Sequence, residues 1–121
     1  MSTESINRKT RNYAVKLKKL HHYPAVVVGA EHSRHKSVAS SGLLESNKMV
    51  KKLRHKLKTI GNLYERKNGN TLGCCAETNA GNKILIKKPY LSLNEIKFAT
   101  PLRPRTMQII STCKNCKLTF N

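Results

Sequence analysis

The chain has 121 residues, which suits one domain, and we expect residues 1–121 to form it. Hydrophobic residues make up 38% of the sequence and charged residues 25%, a balance that excludes wholesale disorder. The 24 Lys and Arg residues outnumber the 6 Asp and Glu residues, and the resulting net charge of +18 favours a polyanionic partner, either nucleic acid or an anionic membrane surface. The longest apolar run, residues 25–30, is too short for a membrane span.

The N-terminal segment, residues 1–22, predicts a basic helix over Ser5–Leu20. Its apolar positions are Val15, Leu17 and Leu20, with lysines between them. The start of the chain is polar and lacks the apolar run of a signal peptide. We therefore expect a cytoplasmic or nuclear location for the chain as it stands, and secretion if it is a fragment of a larger toxin.

A strand hairpin is predicted over residues 24–41. Ala25–Ala30 is apolar and rich in valine, as a buried strand should be. Glu31–Lys36 then predicts a polar turn, and Ser37–Ser41 a short antiparallel partner strand.

Two further helices and a strand follow. Apolar residues spaced by three and four predict a helix over Asn47–Ile60, whose other face is rich in lysine. The turn residues Asn68-Gly69-Asn70 precede a helix predicted over Cys75–Lys88, and a strand predicted over Glu95–Thr100 ends at Pro101. The resulting order of helices and strands indicates a mixed α/β fold.

Three cysteines have the spacing of metal ligands. Four cysteines without a secretory signal indicate a metal site first and disulfides second. Cys113 and Cys116 form a Cys-x-x-Cys pair that suits zinc, and Cys75 is the natural third ligand in a zinc-site half of the chain over residues 70–121. Three protein ligands leave the fourth position open to water, which is typical of a catalytic zinc; a structural zinc and a disulfide are the alternatives.

Glu77 lies two residues beyond Cys75, in the first turn of the predicted helix, where its carboxylate can face the metal. Zinc-dependent base deaminases combine a His or Cys, a Glu two residues later and a distal Cys-x-x-Cys, and their Glu transfers protons without binding the metal. This spacing favours Cys75 over Cys74 as the ligand and Glu77 as the catalytic residue. The alternative for Glu77 is an acidic side chain stabilised by the helix dipole. We expect both ligand groups at helix N-termini, where thiolates are stabilised.

A wider set of motifs carries a family resemblance. They are Cys75-Ala76-Glu77 followed by Asn79, Ala80 and Asn82; then Ser92-Leu93-Asn94-Glu95-Ile96-Lys97-Phe98-Ala99; then Arg103-Pro104-Arg105-Thr106; and then Cys113-Lys114-Asn115-Cys116. With these motifs, the segment Gly73–Asn121 resembles the YwqJ-related deaminases of bacterial polymorphic toxin systems, a branch of the cytidine deaminase-like superfamily.

This resemblance implies a cytidine deaminase-like α/β fold with three α-β-α layers, in a chain that is either a naturally short family member or truncated after the start of the Cys-x-x-Cys helix. It implies hydrolytic deamination of a base in nucleic acid or a nucleotide, with zinc-activated water as the nucleophile and Glu77 as the proton shuttle. It also implies a toxin or a toxin-derived effector, for which an immunity protein would be a partner. The principal alternative is a non-catalytic, basic zinc-binding module that binds nucleic acid.

Several basic segments are candidate contacts for a polyanion. Arg103 and Arg105 suit phosphate binding near the substrate, although a solvated loop would use them equally well. The lysine-rich face over Lys48–Lys58 either follows a phosphate backbone or is simply solvated. A sheet of few strands would also leave an exposed edge for a partner chain or for self-association.

Overall fold

The computed structural model describes residues 3–121, with side chains from residue 5 onward. Within this range the chain forms a mixed α/β fold, as predicted. The α-helices are α1 (Thr3–Lys19), α2 (Lys51–Ile60), α3 (Ala76–Lys87) and α4 (Lys114–Phe120). The strands are β1 (Val27–His32), β2 (His35–Ser40), β3 (Arg66–Lys67), β4 (Asn70–Thr71), β5 (Lys97–Phe98), β6 (Leu102–Arg103) and β7 (Gln108–Ile109). Short 3₁₀ turns occupy Ser46–Lys48 and Leu93–Glu95.

Helix α1 confirms the predicted N-terminal helix but buries a different face. The predicted apolar positions Val15 and Leu20 are 37% and 65% exposed, and only Leu17 is buried among the three. The buried face consists of residues spaced by four, four and three: Ile6, Thr10, Ala14 and Leu17. Thr10 fits this apolar face because its hydroxyl donates a hydrogen bond to the carbonyl of Ile6, at 2.8 Å.

The β1–β2 hairpin is longer than predicted. Its pairing continues to His32 opposite His35, so the turn contains only Ser33 and Arg34. Ser33 has a φ of 57°, the left-handed conformation that tight hairpin turns require. The prediction of a turn over Glu31–Lys36 was therefore wrong, because the polarity of Glu31 concealed a buried strand position.

On the other side of β1, the sheet continues with an interrupted strand that consists of β5 and β6. Both β5 and β6 pair with β1 in antiparallel orientation, at Ala30 opposite Phe98 and at Val27 opposite Leu102. Pro101 lies between them and was predicted to end the strand. It breaks the ladder, since it has no N–H to donate, but the pairing resumes at the next residue. Strand β7 then pairs with β6 and forms the edge of the main sheet, and Ile109 on that edge is 73% exposed.

Helices cover both faces of this sheet. Successive side chains of a strand point to opposite faces, and on β1 Val27 packs against Ala14 and Leu17 of α1, whereas Val28 and Ala30 belong to the core shared with α3. Helix α3 confirms its predicted position, whereas α2 confirms the predicted end at Ile60 but begins at Lys51, because Ser46–Lys48 forms a 3₁₀ turn instead. The periodic residues Leu53, Leu57 and Ile84 are almost completely buried. Among the helices described, none combines the length and the apolar character needed to cross a membrane.

A small second sheet forms at the predicted turn. Strands β3 and β4 pair on either side of Asn68 and Gly69, whose φ values of 52° and 82° are those of a tight hairpin turn. The chain then leads from β4 directly into the start of α3. The hairpin therefore stands beside the first of the candidate metal ligands.

At Gly29, α1 and β1 approach each other closely. A Cβ atom there would lie 2.6 Å from Thr10 Oγ1 and 2.7 Å from Ile6 Cδ1. We expect Gly29→Ala to destabilise the protein by about 1–3 kcal/mol, because the helix must move away from the sheet. Denaturant unfolding followed by circular dichroism measures this loss. Gly61→Ala is the control, since its nearest neighbour is the flexible end of Leu72, at 3.0 Å, and an equal loss in both variants would contradict the expectation.

Candidate metal centre

The candidate ligands lie at the starts of two helices. Cys75 is the N-cap residue of α3 and Cys113 is the N-cap residue of α4, each with an extended backbone conformation. Cys116 lies in the first turn of α4 and is buried. The expectation that both ligand groups occupy helix N-termini is confirmed.

The three thiols form one cluster. The Sγ atoms of Cys75, Cys113 and Cys116 all lie within 4.8 Å of one another, and those of Cys75 and Cys113 are 3.2 Å apart. Tetrahedral zinc with Zn–S distances of about 2.3 Å places its sulfur ligands about 3.8 Å apart, so this cluster is close to the size that a metal requires. All four cysteines are free thiols, and 3.2 Å is well beyond the disulfide bond length of about 2.05 Å. Three cysteines are thus close enough to bind one metal ion.

Hydrogen bonding within the cluster favours a negative charge on one sulfur. Hydrogen bonds from the thiols of Cys116 and Cys75 lower the pKa of Cys113 to about 3, and the backbone N–H groups of Cys116 and Asn115 assist. Donating to Cys113 raises the pKa of Cys75 to about 12 and raises that of Cys116 as well. These shifts favour the thiolate at Cys113 and the thiol at Cys75 and Cys116.

Glu77 places a buried carboxyl group beside this cluster. Only 4% of the residue is exposed. Burial raises the pKa of the Glu77 carboxyl above its ordinary value and the charge on Cys113 raises it further, while its own backbone N–H and the Thr112 hydroxyl act in the opposite direction. A bound cation would lower this pKa, so the protonation of Glu77 depends directly on what the cluster holds.

The cluster opens into a cavity of about 610 Å³, within the size range of ligand-binding cavities. Cys75, Cys113 and Glu77 line it, and Thr112 lies on the same wall. Cys74 also lines the cavity, half-buried, but its thiol lies outside the three-sulfur cluster. Further lining comes from residues 24–26 before β1, from Ser41 and Gly42 after β2, and from the β3–β4 hairpin.

The β3–β4 hairpin contributes a basic residue that the sequence did not single out. Arg66 lines the cavity, and its Nη2 donates to the carbonyl of Gly69 at 2.8 Å, which holds the guanidinium group near the mouth. Arg66 lies in a lysine- and asparagine-rich stretch with no motif of its own, so only the fold reveals that it faces the cysteines.

Asn115, inside the Cys-x-x-Cys motif, ties the hairpin to the metal ligands. Its side chain is buried, and Nδ2 donates to the carbonyl of Lys67 at 2.7 Å while Oδ1 accepts from Asn68 at 2.9 Å. These bonds satisfy the buried amide and hold α4 against the hairpin. The sequence contained a hint of this role, because an asparagine between two ligands can bond to backbone groups without competing for the metal.

Arg103 and Arg105 lie away from the cavity. Both are exposed on the β6–β7 hairpin, and neither belongs to the cavity lining. The guanidinium group of Arg105 lies over the ring of Tyr23, 5.9 Å from the centroid. A phosphate-binding role for this pair remains a prediction that the geometry of the cavity does not address.

Comparison of the chain with protein-family models, with curated proteins and with solved structures finds no match. The resemblance to YwqJ-related deaminases thus depends on the sequence motifs alone. A function for this site must therefore be argued from these motifs and, independently, from the geometry of the cysteine cluster and Glu77.

The cluster should bind one zinc ion per chain. We expect elemental analysis of the purified protein to give one equivalent of zinc, and Cys75→Ser or Cys113→Ser to lose most of it, because each removes one of three ligands. Cys74→Ser is the matched control, since it changes the adjacent thiol outside the cluster and should retain zinc. If Cys74→Ser loses zinc and Cys75→Ser retains it, then Cys74 is the ligand and the assignment of Cys75 is wrong.

Zinc binding should release two protons near neutral pH, because Cys75 and Cys116 are thiols in the metal-free cluster whereas Cys113 is already a thiolate. The apparent affinity for zinc should therefore rise about a hundredfold for each unit of increasing pH, and fall equally as pH decreases. Competition with a chromophoric chelator, together with calorimetry in buffers of different ionisation enthalpy, measures both quantities. Release of three protons from Glu77→Gln protein, in which the Glu77 carboxyl cannot contribute one, would contradict the assignment of Cys113 as a thiolate.

Proposed function

We propose that this protein is a zinc-dependent nucleobase deaminase. The observation that supports this most directly is the position of Glu77, whose buried carboxyl group adjoins three cysteines that are close enough to bind one metal, at a cavity lined by Glu77, Cys75 and Cys113. A structural zinc site requires neither such a carboxyl group nor an adjacent cavity. Structural sites are also usually closed by a fourth protein ligand, and the described residues offer only the three cysteines as a metal-binding cluster.

Cys75, Cys113 and Cys116 would hold the zinc ion. When bound, zinc supplies a Lewis acid that makes water a nucleophile near neutral pH. The backbone N–H groups of Asn115 and Cys116 stabilise negative charge on Cys113, which prepares part of the ligand set before the metal arrives. Cys75 lies at the start of the twelve-residue helix α3, where the helix dipole also favours a thiolate.

Glu77 is suited to transferring a proton. A carboxyl group whose pKa is raised by burial is protonated at a higher pH than an exposed one, which suits a group that must both accept and donate a proton. The Thr112 hydroxyl lies beside the carboxyl group and contributes to its pKa, and it can fix its orientation. In the proposed reaction Glu77 takes the proton from the attacking water and delivers it to the departing amino group of the base.

The arrangement of helices and strands is compatible with the cytidine deaminase-like, three-layer fold that the motifs suggest. Helices lie on both faces of the sheet, and the two metal-binding segments are the starts of α3 and α4. The cavity of about 610 Å³ can admit a base that has been turned out of a strand. A toxin or toxin-derived effector is the biological role that the motifs suggest for such an enzyme.

The net charge of +18 favours a second candidate, a non-catalytic zinc module that binds nucleic acid through its basic surface. The two candidates differ in what they require of Glu77. A module needs only the three cysteines for its fold, whereas the deaminase also needs the carboxyl group.

We expect Glu77→Gln to reduce ammonia release from nucleic-acid or nucleotide substrates by about 10²–10⁴-fold, because the amide cannot transfer the proton. Glutamine has nearly the same shape, so zinc content and circular dichroism should be unchanged. The assay compares wild-type and variant proteins on cytosine- and adenine-containing oligonucleotides and on the free nucleotides.

Full activity in zinc-loaded Glu77→Gln would contradict the role of Glu77. If the zinc-loaded wild-type protein releases no ammonia from any of these substrates but binds the oligonucleotides, the non-catalytic module is the better description.

A further inference from the structure

A second cavity, of about 430 Å³, lies between α2, the β3–β4 hairpin and α4. Each of these three elements contributes one lysine to its lining, Lys56 from α2, Lys67 from β3 and Lys114 from α4. Lys67 and Lys114 are exposed and Lys56 is half-buried. Elements distant in the sequence thus bring three lysines to one concave surface.

These three charges are not neutralised by the chain. No carboxylate lines the cavity, and among the side chains that the structure describes none places a carboxylate oxygen within 4.0 Å of a lysine nitrogen. Other lysines have structural partners: Lys52 donates to the carbonyls of Pro89 and Leu91, and Lys83 to that of Val38. Hydrogen bonds from the ammonium groups of the cavity lysines are absent from the described structure. Like charges gathered without a counter-ion favour an anionic ligand.

This lysine cavity adjoins the metal cavity on two walls. On the hairpin, Arg66 lines the metal cavity and Lys67 the lysine cavity; at α4, Cys113 lines the first and Lys114 the second. Consecutive residues are about 3.8 Å apart between Cα atoms, so the two cavities are separated by little more than the thickness of the chain. Asn115 fixes this shared wall by bonding to the carbonyl of Lys67.

We propose that Lys56, Lys67 and Lys114 bind a backbone phosphate of a single-stranded nucleic acid, next to the nucleotide whose base enters the metal cavity. This assignment of a polymeric substrate rests on the proposed deaminase function for the role of the metal cavity, but the phosphate site itself does not. A free nucleotide has its phosphate attached to the base in the cavity, whereas a polymer carries further phosphates past the rim. The lysine cavity shares a wall with the metal cavity and could therefore receive such a flanking phosphate, and lysine is a common phosphate ligand.

The test is the affinity for a fluorescently labelled single-stranded oligonucleotide of mixed sequence, prepared as DNA and as RNA. The variant combines Lys56→Gln, Lys67→Gln and Lys114→Gln. The matched control removes the same charge from exposed positions of α1 by combining Lys9→Gln, Lys16→Gln and Lys18→Gln. Zinc content and circular dichroism verify folding, and the double variant Lys67→Gln with Lys114→Gln replaces the triple variant if the latter does not fold.

We expect the cavity variant to bind at least one of the two oligonucleotides about tenfold more weakly than the control variant does. The slope of log K against log salt, where K is the association constant, is negative, and its magnitude should decrease by about 0.7 for each phosphate contact that is lost. Equal weakening in both triple variants would overturn the proposal, because the lysines would then contribute only general charge. Inorganic phosphate or a mononucleotide that competes as well as unlabelled oligonucleotide would also overturn it, as would lysine-dependent binding to phosphatidylglycerol vesicles without binding to oligonucleotide.

All binding measurements are repeated with zinc-loaded Glu77→Gln protein, which separates the two hypotheses. Lysine-dependent oligonucleotide binding without ammonia release by the wild type would support the phosphate site and contradict the deaminase. Ammonia release from oligonucleotides that is unchanged in the cavity variant, together with unchanged binding, would support the deaminase and overturn the phosphate site.

Discussion

The convergence of two helix starts on one point is the constraint on which the site depends. Cys75 and Cys113 are 38 residues apart in sequence, yet their sulfur atoms are 3.2 Å apart. Helix α3 packs across β1 and β2, and the interrupted strand β5–β6 returns the chain along β1 before α4 begins. Asn115 then anchors α4 to the β3–β4 hairpin. The sheet, the hairpin and one buried amide together determine where the third ligand, Cys116, lies.

Ionising all the acidic groups of such a buried cluster costs free energy unless a cation is present. Three thiolates and the carboxylate of Glu77 cannot all be charged in a buried space, and the metal-free cluster relieves this by keeping Cys75 and Cys116 protonated. A bound dication would remove the conflict and allow all three sulfurs to ionise. The core has two Phe and no Trp, so a metal that joins α3 to α4 would also contribute to stability. Both the charge balance of the cysteine cluster and the stability of the fold therefore favour a bound divalent cation.

The sequence predicted those parts in which one strong local pattern acts alone. The periodic leucines of α2, the Asn68-Gly69 turn and the helix after Cys75 were all located correctly. The errors arose where tertiary packing outweighs local character. In α1 the apolar character of Val15 predicts a core position, but Val15 is exposed. Close packing against Gly29 selects a different face of the helix, which contains the buried Thr10. The cysteine spacing indicated the ligands, but Arg66 reaches the cavity only through the β3–β4 hairpin, which no sequence pattern relates to α3.

The β3–β4 hairpin also determines how the positive charge of the protein can be used. A net charge of +18 attracts any polyanion, and by itself says nothing about where a ligand would lie. Because successive residues of a strand face opposite sides, Arg66 and Lys67 present their charges to two different cavities. A strand of nucleic acid that crosses this wall would meet the metal cavity on one side and three lysines on the other. Under the proposed function, the hairpin that lines the site for a base would also supply a site for the adjoining phosphate, and this coupling is the physical reason to favour a polymer over a free nucleotide.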